Sequence, residues 1–255
     1  MRLSPLFLCG LFLCALMAGA PGASAVDLKL LTTGAFKPVA QEIVPIFEKA
    51  TGHKVRMEND TAGGLNQRIG AGEQFDVVVL TQQALERMMG ARIIVDESIT
   101  PLAKVGIGVG VSLSAPRPDI SNVEAFRRTL LRARAVAYID PSSGGTSGIY
   151  LRGLFVTLGI GPQIERKAVL VLGGYAAQRV ASGQADIALQ QASEIVAVPG
   201  VQYVGPIPAQ IQNYTVYSGA ISPKARDQDA AAALLEALAS VDATAIMKRK
   251  GLEIP

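Results

Sequence analysis

The chain has 255 residues, with 24 lysines and arginines against 21 aspartates and glutamates, and a formal net charge of +3 at pH 7. Its longest basic run is Lys248-Arg249-Lys250, which argues against a nucleic-acid-binding surface. The chain has one histidine, His53, and two cysteines, Cys9 and Cys14, and it carries no G-x-S-x-G, Walker or H-E-x-x-H motif. This composition excludes the commonest zinc and hydrolase sites, and we expect no catalytic residue, metal or cofactor.

The first 25 residues have the pattern of an export signal. Arg2 precedes an apolar run over residues 6–16, and Ala23-Ser24-Ala25 is a small-x-small cleavage site. The run is short for a membrane anchor, the alternative interpretation. Cleavage after Ala25 would leave residues 26–255, free of cysteine and with no further stretch of membrane-spanning length. We therefore predict a periplasmic protein.

Short apolar segments alternate with helical patterns in the first part of the chain. We predict strands at residues 28–31, 55–57 and 77–80, with helices at residues 40–50 and 65–71 between them. Val77-Val78-Val79-Leu80 is apolar at every position, which is typical of a strand buried on both faces. His53 falls between a helix and a strand, and we expect it in a surface loop. The alternation predicts a parallel sheet with helices on its faces.

A second series of the same kind follows. Helices are predicted at residues 123–133, 150–158 and 176–182, and strands at 135–139, 168–172 and 187–189. An extended stretch at 105–113 separates the two series, and a matching one at 201–221 follows the second. A helix at 228–239 and a last helix that ends near residue 250 come after it. We predict an α/β fold of two lobes, each a mostly parallel sheet flanked by helices. Residues 26–107 and 212–255 would form lobe 1 and residues 108–211 lobe 2, joined by two hinge crossings.

Loops rich in glycine and hydroxyl side chains follow nearly every predicted strand. Open α/β sheets bind ligands at the carboxyl ends of their strands, where helix N-termini present unpaired N–H groups. Ordinary helix capping is the alternative explanation for each loop taken alone. The candidate ligand-binding residues are Thr33, Gly34, Ala35, Thr61, Ala62, Gly63, Thr81, Thr146, Ser147, Gly173, Gly174, Tyr175 and Gln191.

Several segments, in order, resemble the periplasmic molybdate-binding proteins and the wider group of oxyanion-type solute receptors of ABC importers. The segments run from Gln67-Arg68-Ile69-Gly70-Ala71-Gly72 through Phe75-Asp76-Val77, Asp140-Pro141, Gly148-Ile149-Tyr150 and Ser182-Gly183-Gln184-Ala185-Asp186-Ile187 to residues 247–251. The resemblance covers about residues 28–252. It implies a type II periplasmic binding fold, in which two α/β lobes close on a ligand.

The ligand positions implied by the resemblance differ from the family pattern. Ala35 and Ala62 stand where the family has serines, and Gln191 stands where it has a tyrosine. Thr81 and Ser147 take two alanine-type positions, and a backbone donor falls at Gly173 or Gly174. The lost hydroxyls and the added glutamine acceptor suggest a different anion.

Arg152, one turn into the helix after Gly148, is a possible carboxylate clamp or a surface arginine. We expect a monomer that captures a small anion, such as molybdate or tungstate, for an ABC permease. An organic carboxylate and a ligand-sensing role are the alternatives, and the ligand would be held by hinge closure without covalent chemistry.

Overall fold

The computed structural model describes residues 25–255. The predicted export signal, with Cys9 and Cys14, lies outside the described residues. Over residues 25–255 the chain folds into a mixed α/β protein with one nine-stranded sheet. The strands are β1 (Asp27–Thr33), β2 (Lys54–Asp60), β3 (Val77–Thr81), β4 (Thr100–Ser112), β5 (Val136–Ile139), β6 (Ala168–Val171), β7 (Ile187–Gln191), β8 (Val201–Pro206) and β9 (Tyr214–Ile221).

Ten helices of the described part of the chain flank the sheet, and short 3-10 turns lie between some of the elements. The helices are α1 (Lys37–Thr51), α2 (Ala62–Gly70), α3 (Gln82–Glu86), α4 (Val123–Arg132), α5 (Thr146–Thr157), α6 (Gly161–Glu165), α7 (Ala177–Ala181), α8 (Ala192–Val196), α9 (Gln228–Ala239) and α10 (Val241–Arg249).

The long strand β4 joins two halves of the sheet. Its residues up to Gly106 pair antiparallel with β9, and from Ile107 onward they pair antiparallel with β7 and β8. In the first lobe, β1 pairs parallel with both β2 and β3. In the second lobe, β5 pairs parallel with both β6 and β7. The chain returns to the first lobe between β8 and β9, so two crossings join the lobes, as predicted, and each lobe has three parallel strands beside antiparallel ones.

Each lobe has its own apolar core. In the first lobe α1 packs Ile43 and Phe47 against Leu234 of α9 and Met247 of α10. A separate cluster in the second lobe contains Phe126, Leu151 and other fully buried side chains. Because each lobe is stabilised internally, the surfaces that face each other can carry polar groups.

Local sequence signals explain the ends of α1. Pro38 lies in the first turn, where its missing N–H costs no intrahelical bond. Gly52 ends the helix with φ of 80°, and its N–H donates to the Glu48 carbonyl. Only glycine adopts that conformation without strain, which is why the helix stops there.

Most predicted elements are confirmed, with several corrections. The predicted extended stretch at 201–221 is two strands, β8 and β9, separated by a 3-10 turn. The short helices α3, α6 and α8 were not predicted. His53 is in a loop, but it is only 8% exposed, because it stacks on Phe47 and its Nδ1 accepts a hydrogen bond from the Val26 N–H at 3.1 Å. The surface position expected for His53 is therefore wrong.

Within residues 25–255, no single helix is long and apolar enough to cross a membrane. Helices α9 and α10 reach that length and composition only together, as a pair bent by 49°. Their apolar side chains, among them Leu234, Leu238 and Met247, are buried in the core of the first lobe.

Candidate functional site

A pocket lies between the two lobes at the ends of several strands. The first lobe contributes the loops that follow β1 and β2, and one side chain of β9. The second lobe contributes the start of α5 and the end of β7. The pocket is lined by Thr33, Gly34, Ala35, Asn59, Asp60, Thr61, Ala62, Ile139, Gly145, Thr146, Ser147, Gly174, Gln191, Glu194 and Tyr217.

Two helix N-termini, one from each lobe, reach the pocket. Thr61 caps α2, and its side-chain oxygen accepts a hydrogen bond from the Gly64 N–H at 2.9 Å. Thr146 and Ser147 form the first turn of α5, where helix geometry leaves N–H groups without an intrahelical partner. The two helix dipoles therefore favour negative charge in the pocket.

The lobes touch beside the pocket. The Gly63 N–H donates to the Gly144 carbonyl at 3.1 Å, and the Thr61 hydroxyl donates to the Ser143 carbonyl at 2.5 Å. A Cβ on Gly63 would lie 2.6 Å from the Gly144 Cα, so the backbones meet where only glycines fit. The chain is thus in a closed arrangement.

Two buried polar atoms at the pocket lack a partner among the described residues. The Gln191 amide nitrogen donates to the hydroxyls of Thr146 and Thr215, each at 3.1 Å, but its Oε1 accepts no hydrogen bond. The Thr33 hydroxyl is also unpartnered. Buried polar groups are rarely left unsatisfied, so both atoms are free to bond with a ligand or with water.

Carboxyl groups, and not cations, provide the ionisable side chains of the pocket. Of the described residues that line it, none is a lysine or an arginine. Asp60 accepts a hydrogen bond from the Thr61 N–H at 2.7 Å and lies 3.8 Å from Arg68, outside the pocket. Glu194 has no such cation, and burial raises its pKa to about 8. At neutral pH it is therefore mostly a neutral acid, able to donate a hydrogen bond.

Tyr217 of β9 lies beside Glu194 in the buried wall of the pocket. Burial raises the pKa of the Tyr217 hydroxyl, and the nearby Glu194 carboxyl raises it further. The hydroxyl is therefore a neutral donor at any physiological pH.

The structure places nine of the predicted residues in the lining of the pocket and five outside it. Gly63 is at the contact between the lobes, and Thr81 lines a neighbouring pocket shared with Thr146 and Thr215. Gly173 and Tyr175 do not line the pocket, although the buried Tyr175 hydroxyl is unpartnered. Arg152 is exposed on α5 and does not line it. The nine are Thr33, Gly34, Ala35, Thr61, Ala62, Thr146, Ser147, Gly174 and Gln191.

Sequence reasoning missed several lining residues, Glu194 and Tyr217 above all. It considered only loops after parallel strands, whereas Tyr217 is in the antiparallel strand β9. Glu194 lies three residues beyond Gln191, in the unpredicted helix α8. An acid directly after a buried strand was the available signal. Among residues 25–255 no group of three or more histidines, cysteines or acids is placed to hold a metal ion.

Comparison with known proteins relates most of the chain to one family. The family model described as bacterial extracellular solute-binding protein matches residues 28–253. A curated protein from Pseudomonas sp., named aconitate isomerase, is 37% identical over 232 residues, which cover 89% of this chain and 87% of that protein.

Solved structures share the fold. The periplasmic molybdate-binding protein of Azotobacter vinelandii superposes with a TM-score of 0.74 at 20% identity, covering 89% of this chain and 99% of that one. The sulfate-binding protein SubI of Mycobacterium tuberculosis H37Rv gives a TM-score of 0.69 at 16% identity, covering 90% and 87% of the two chains. At these identities the likeness extends to the fold alone.

Proposed function

Because the chain belongs to the bacterial extracellular solute-binding protein family, we propose that it captures a small organic carboxylate between its lobes. In this proposal it acts as a monomer in the periplasm and passes the ligand to the permease of an ABC-type importer. The single observation that carries the proposal is the cation-free pocket, in which the first turns of α2 and α5 converge on unpartnered buried polar atoms.

The chemistry of the pocket favours an organic acid over a metal oxyanion. Ala35 and Ala62 bring methyl groups into the lining where a small oxyanion would need donors. The free Oε1 of Gln191 is an acceptor, which a fully ionised oxyanion cannot use. An organic acid with a hydroxyl group or a retained proton can satisfy it.

The name of the curated relative suggests which compounds to test as ligands. That protein is named after aconitate, an unsaturated tricarboxylic acid, and this chain is 37% identical to it along most of its length. The likeness supports testing cis- and trans-aconitate first, with citrate and succinate as saturated acids. Molybdate, tungstate and sulfate are the oxyanion comparison.

Calorimetric titration of residues 26–255 with these compounds tests the proposal. We expect a carboxylate to bind and the oxyanions not to bind. Thr146→Val removes a hydroxyl that holds Gln191 in the pocket, and we expect about five- to tenfold weaker binding. Thr157→Val, at the exposed end of the same helix, is the matched control and should leave the affinity unchanged.

Each alternative gives a different result. Binding of molybdate or tungstate without any carboxylate would contradict the organic-acid assignment and favour the oxyanion. Equal loss of affinity in the two threonine variants would contradict the assignment of the ligand to this pocket. An unchanged radius of gyration at saturating ligand would contradict capture by closure.

A second candidate function is isomerisation of the bound acid. The specific observation in its favour is Glu194, a carboxyl group that lines the pocket without a cation. A pure receptor needs no buried group able to take up and return a proton near neutral pH, whereas proton-transfer catalysis does. Incubation of the protein with cis-aconitate, followed by proton NMR, tests this function directly. Formation of trans-aconitate is the expected result, and persistence of pure cis-aconitate at high protein concentration would contradict it.

A further inference from the structure

Glu194 is buried in the wall of the pocket. The residue is 7% exposed, and within residues 25–255 it forms no ion pair. Its Oε1 comes within 2.5 Å of the position that a Cβ on Gly34 would take. The backbone of the loop after β1 therefore passes close to the carboxyl.

Burial raises the pKa of Glu194 and outweighs the hydrogen bonds from the Gln190 side chain and the Gln191 N–H, which lower it. The Gln190 amide is itself fixed, because its Oε1 accepts from the Ala176 N–H at 2.7 Å and its Nε2 donates to the Gly174 carbonyl at 3.0 Å. A neutral amide at position 194 would fill the same space without the free-energy cost of burying an ionisable group. The carboxyl therefore points to a role with the ligand.

The groups that face Glu194 leave it free to titrate. Tyr175 and Tyr217 are the ionisable neighbours, and Asp60 is the other acid of the pocket. Burial raises the pKa of both tyrosine hydroxyls, so neither carries charge near neutral pH. Lys37 lies 5.8 Å from the centre of the Tyr175 ring and does not line the pocket.

We propose that Glu194 is the catalytic acid–base that moves a proton between two carbons of the bound unsaturated carboxylate. The inference rests on the second candidate function and names the residue that would perform it. It follows from the position of Glu194 on the wall of a closed pocket, its lack of a cation and the space left for it at Gly34.

The proposed step is balanced within the ligand and the side chain. The Glu194 carboxylate takes a proton from the methylene carbon next to the double bond, and the C–H electron pair is delocalised over that bond. The carboxylic acid so formed returns a proton to the far carbon. The double bond has then moved by one position, and no oxidant, reductant or water is consumed.

The rest of the pocket supports the negative charge that develops on the ligand. First-turn N–H groups of α5 and the neutral Tyr217 hydroxyl are donors already in place. Donors fixed in advance stabilise developing charge without reorganisation. A closed pocket also excludes water that would otherwise take the proton.

Paired measurements on Glu194→Gln separate catalysis from binding. We expect the dissociation constant for cis-aconitate to change by less than about threefold, because a glutamine is close to the neutral acid in shape and charge. Isomerisation, and uptake of deuterium from heavy water into the ligand, should fall at least about 100-fold, as loss of a general acid–base predicts. Glu194→Asp should keep part of the activity, and Glu236→Gln, an exposed acid on α9, should keep all of it.

The wild-type rate should also rise with pH towards about 8, as the pKa of Glu194 requires. Isomerisation by Glu194→Gln at the wild-type rate would overturn the role of Glu194 alone. Wild-type protein that binds aconitate without isomerisation or deuterium uptake would overturn the inference and the second candidate function while leaving capture intact. Failure to bind any carboxylate would overturn the proposed function together with the inference.

Discussion

The pH dependence of stability should be governed by Glu194, and Glu194→Gln should remove most of it. Burial raises the pKa of this carboxyl from 4.5 to about 8. Between these values the folded chain keeps the proton that the unfolded chain releases. The free energy of unfolding therefore falls as pH rises through this window. The contribution of Glu194 to stability is complete only below the pKa that this carboxyl has in the unfolded chain.

The expected magnitude follows from the two pKa values. Each pH unit inside the window lowers the free energy of unfolding by at most about 1.4 kcal/mol. Integration from pH 5.5 to pH 7.5 gives a loss of about 2.5 kcal/mol for the wild-type chain. With a urea dependence of about 2.5 kcal/mol per molar for a chain of this size, the unfolding midpoint should fall by about 1 M.

Urea unfolding at a series of pH values measures this effect. The midpoint of Glu194→Gln should stay nearly constant between pH 5.5 and 7.5, since an amide does not titrate there. Glu236→Gln, exposed on α9, should behave like the wild type. Equal slopes for wild type and Glu194→Gln would refute the reasoning, because they would show that the Glu194 carboxyl is already ionised in the folded chain.

Two further predictions concern the closed contact and the ion pairs of the first lobe. Gly63→Ala puts a methyl 2.6 Å from the Gly144 Cα, so titration should show about tenfold or greater loss of ligand affinity at unchanged thermal stability. Gly70→Ala, with open space at the same helix, is its control and should bind normally. The Arg68 hydrogen bond, with other cations nearby, lowers the pKa of Glu73 to about 2, so Glu73→Gln should cost about 1 kcal/mol at neutral pH. That difference in unfolding free energy should vanish as pH falls from 4.5 towards 2, and a constant difference would contradict the ion-pair explanation.

The fold was predictable because its signals are local and periodic. Residues 77–80 are apolar at every position, and they form the buried strand β3 as predicted. Ile43 and Phe47 have helical spacing, and both are buried on one face of α1. The crossing between the lobes within β4 was predictable as well, because an extended stretch with alternating glycines lies between the two αβ series. The helices that were missed have five residues each, too few for a helical period to be visible.

The site was only partly predictable because its parts come from different lobes. Loops after parallel strands led to Thr33, Thr61 and Ser147, which do line the pocket. No local pattern shows that Tyr217, in an antiparallel strand, reaches the same space as Glu194. His53 was assigned to the surface for a similar reason: its contact with Val26 joins residues 27 positions apart.

A receptor and an isomerase would need the same properties of this pocket, except for one chemical group. Both need closure on an anion, and both use neutral donors so that closure does not bury an unpaired cation. A receptor is complete at that point, because it must later release its ligand unchanged. A carboxyl whose pKa is about 8 inside the closed pocket can also exchange a proton with the ligand while water is excluded. The choice between the two functions therefore depends on whether the bound acid is isomerised, and on whether that isomerisation requires Glu194.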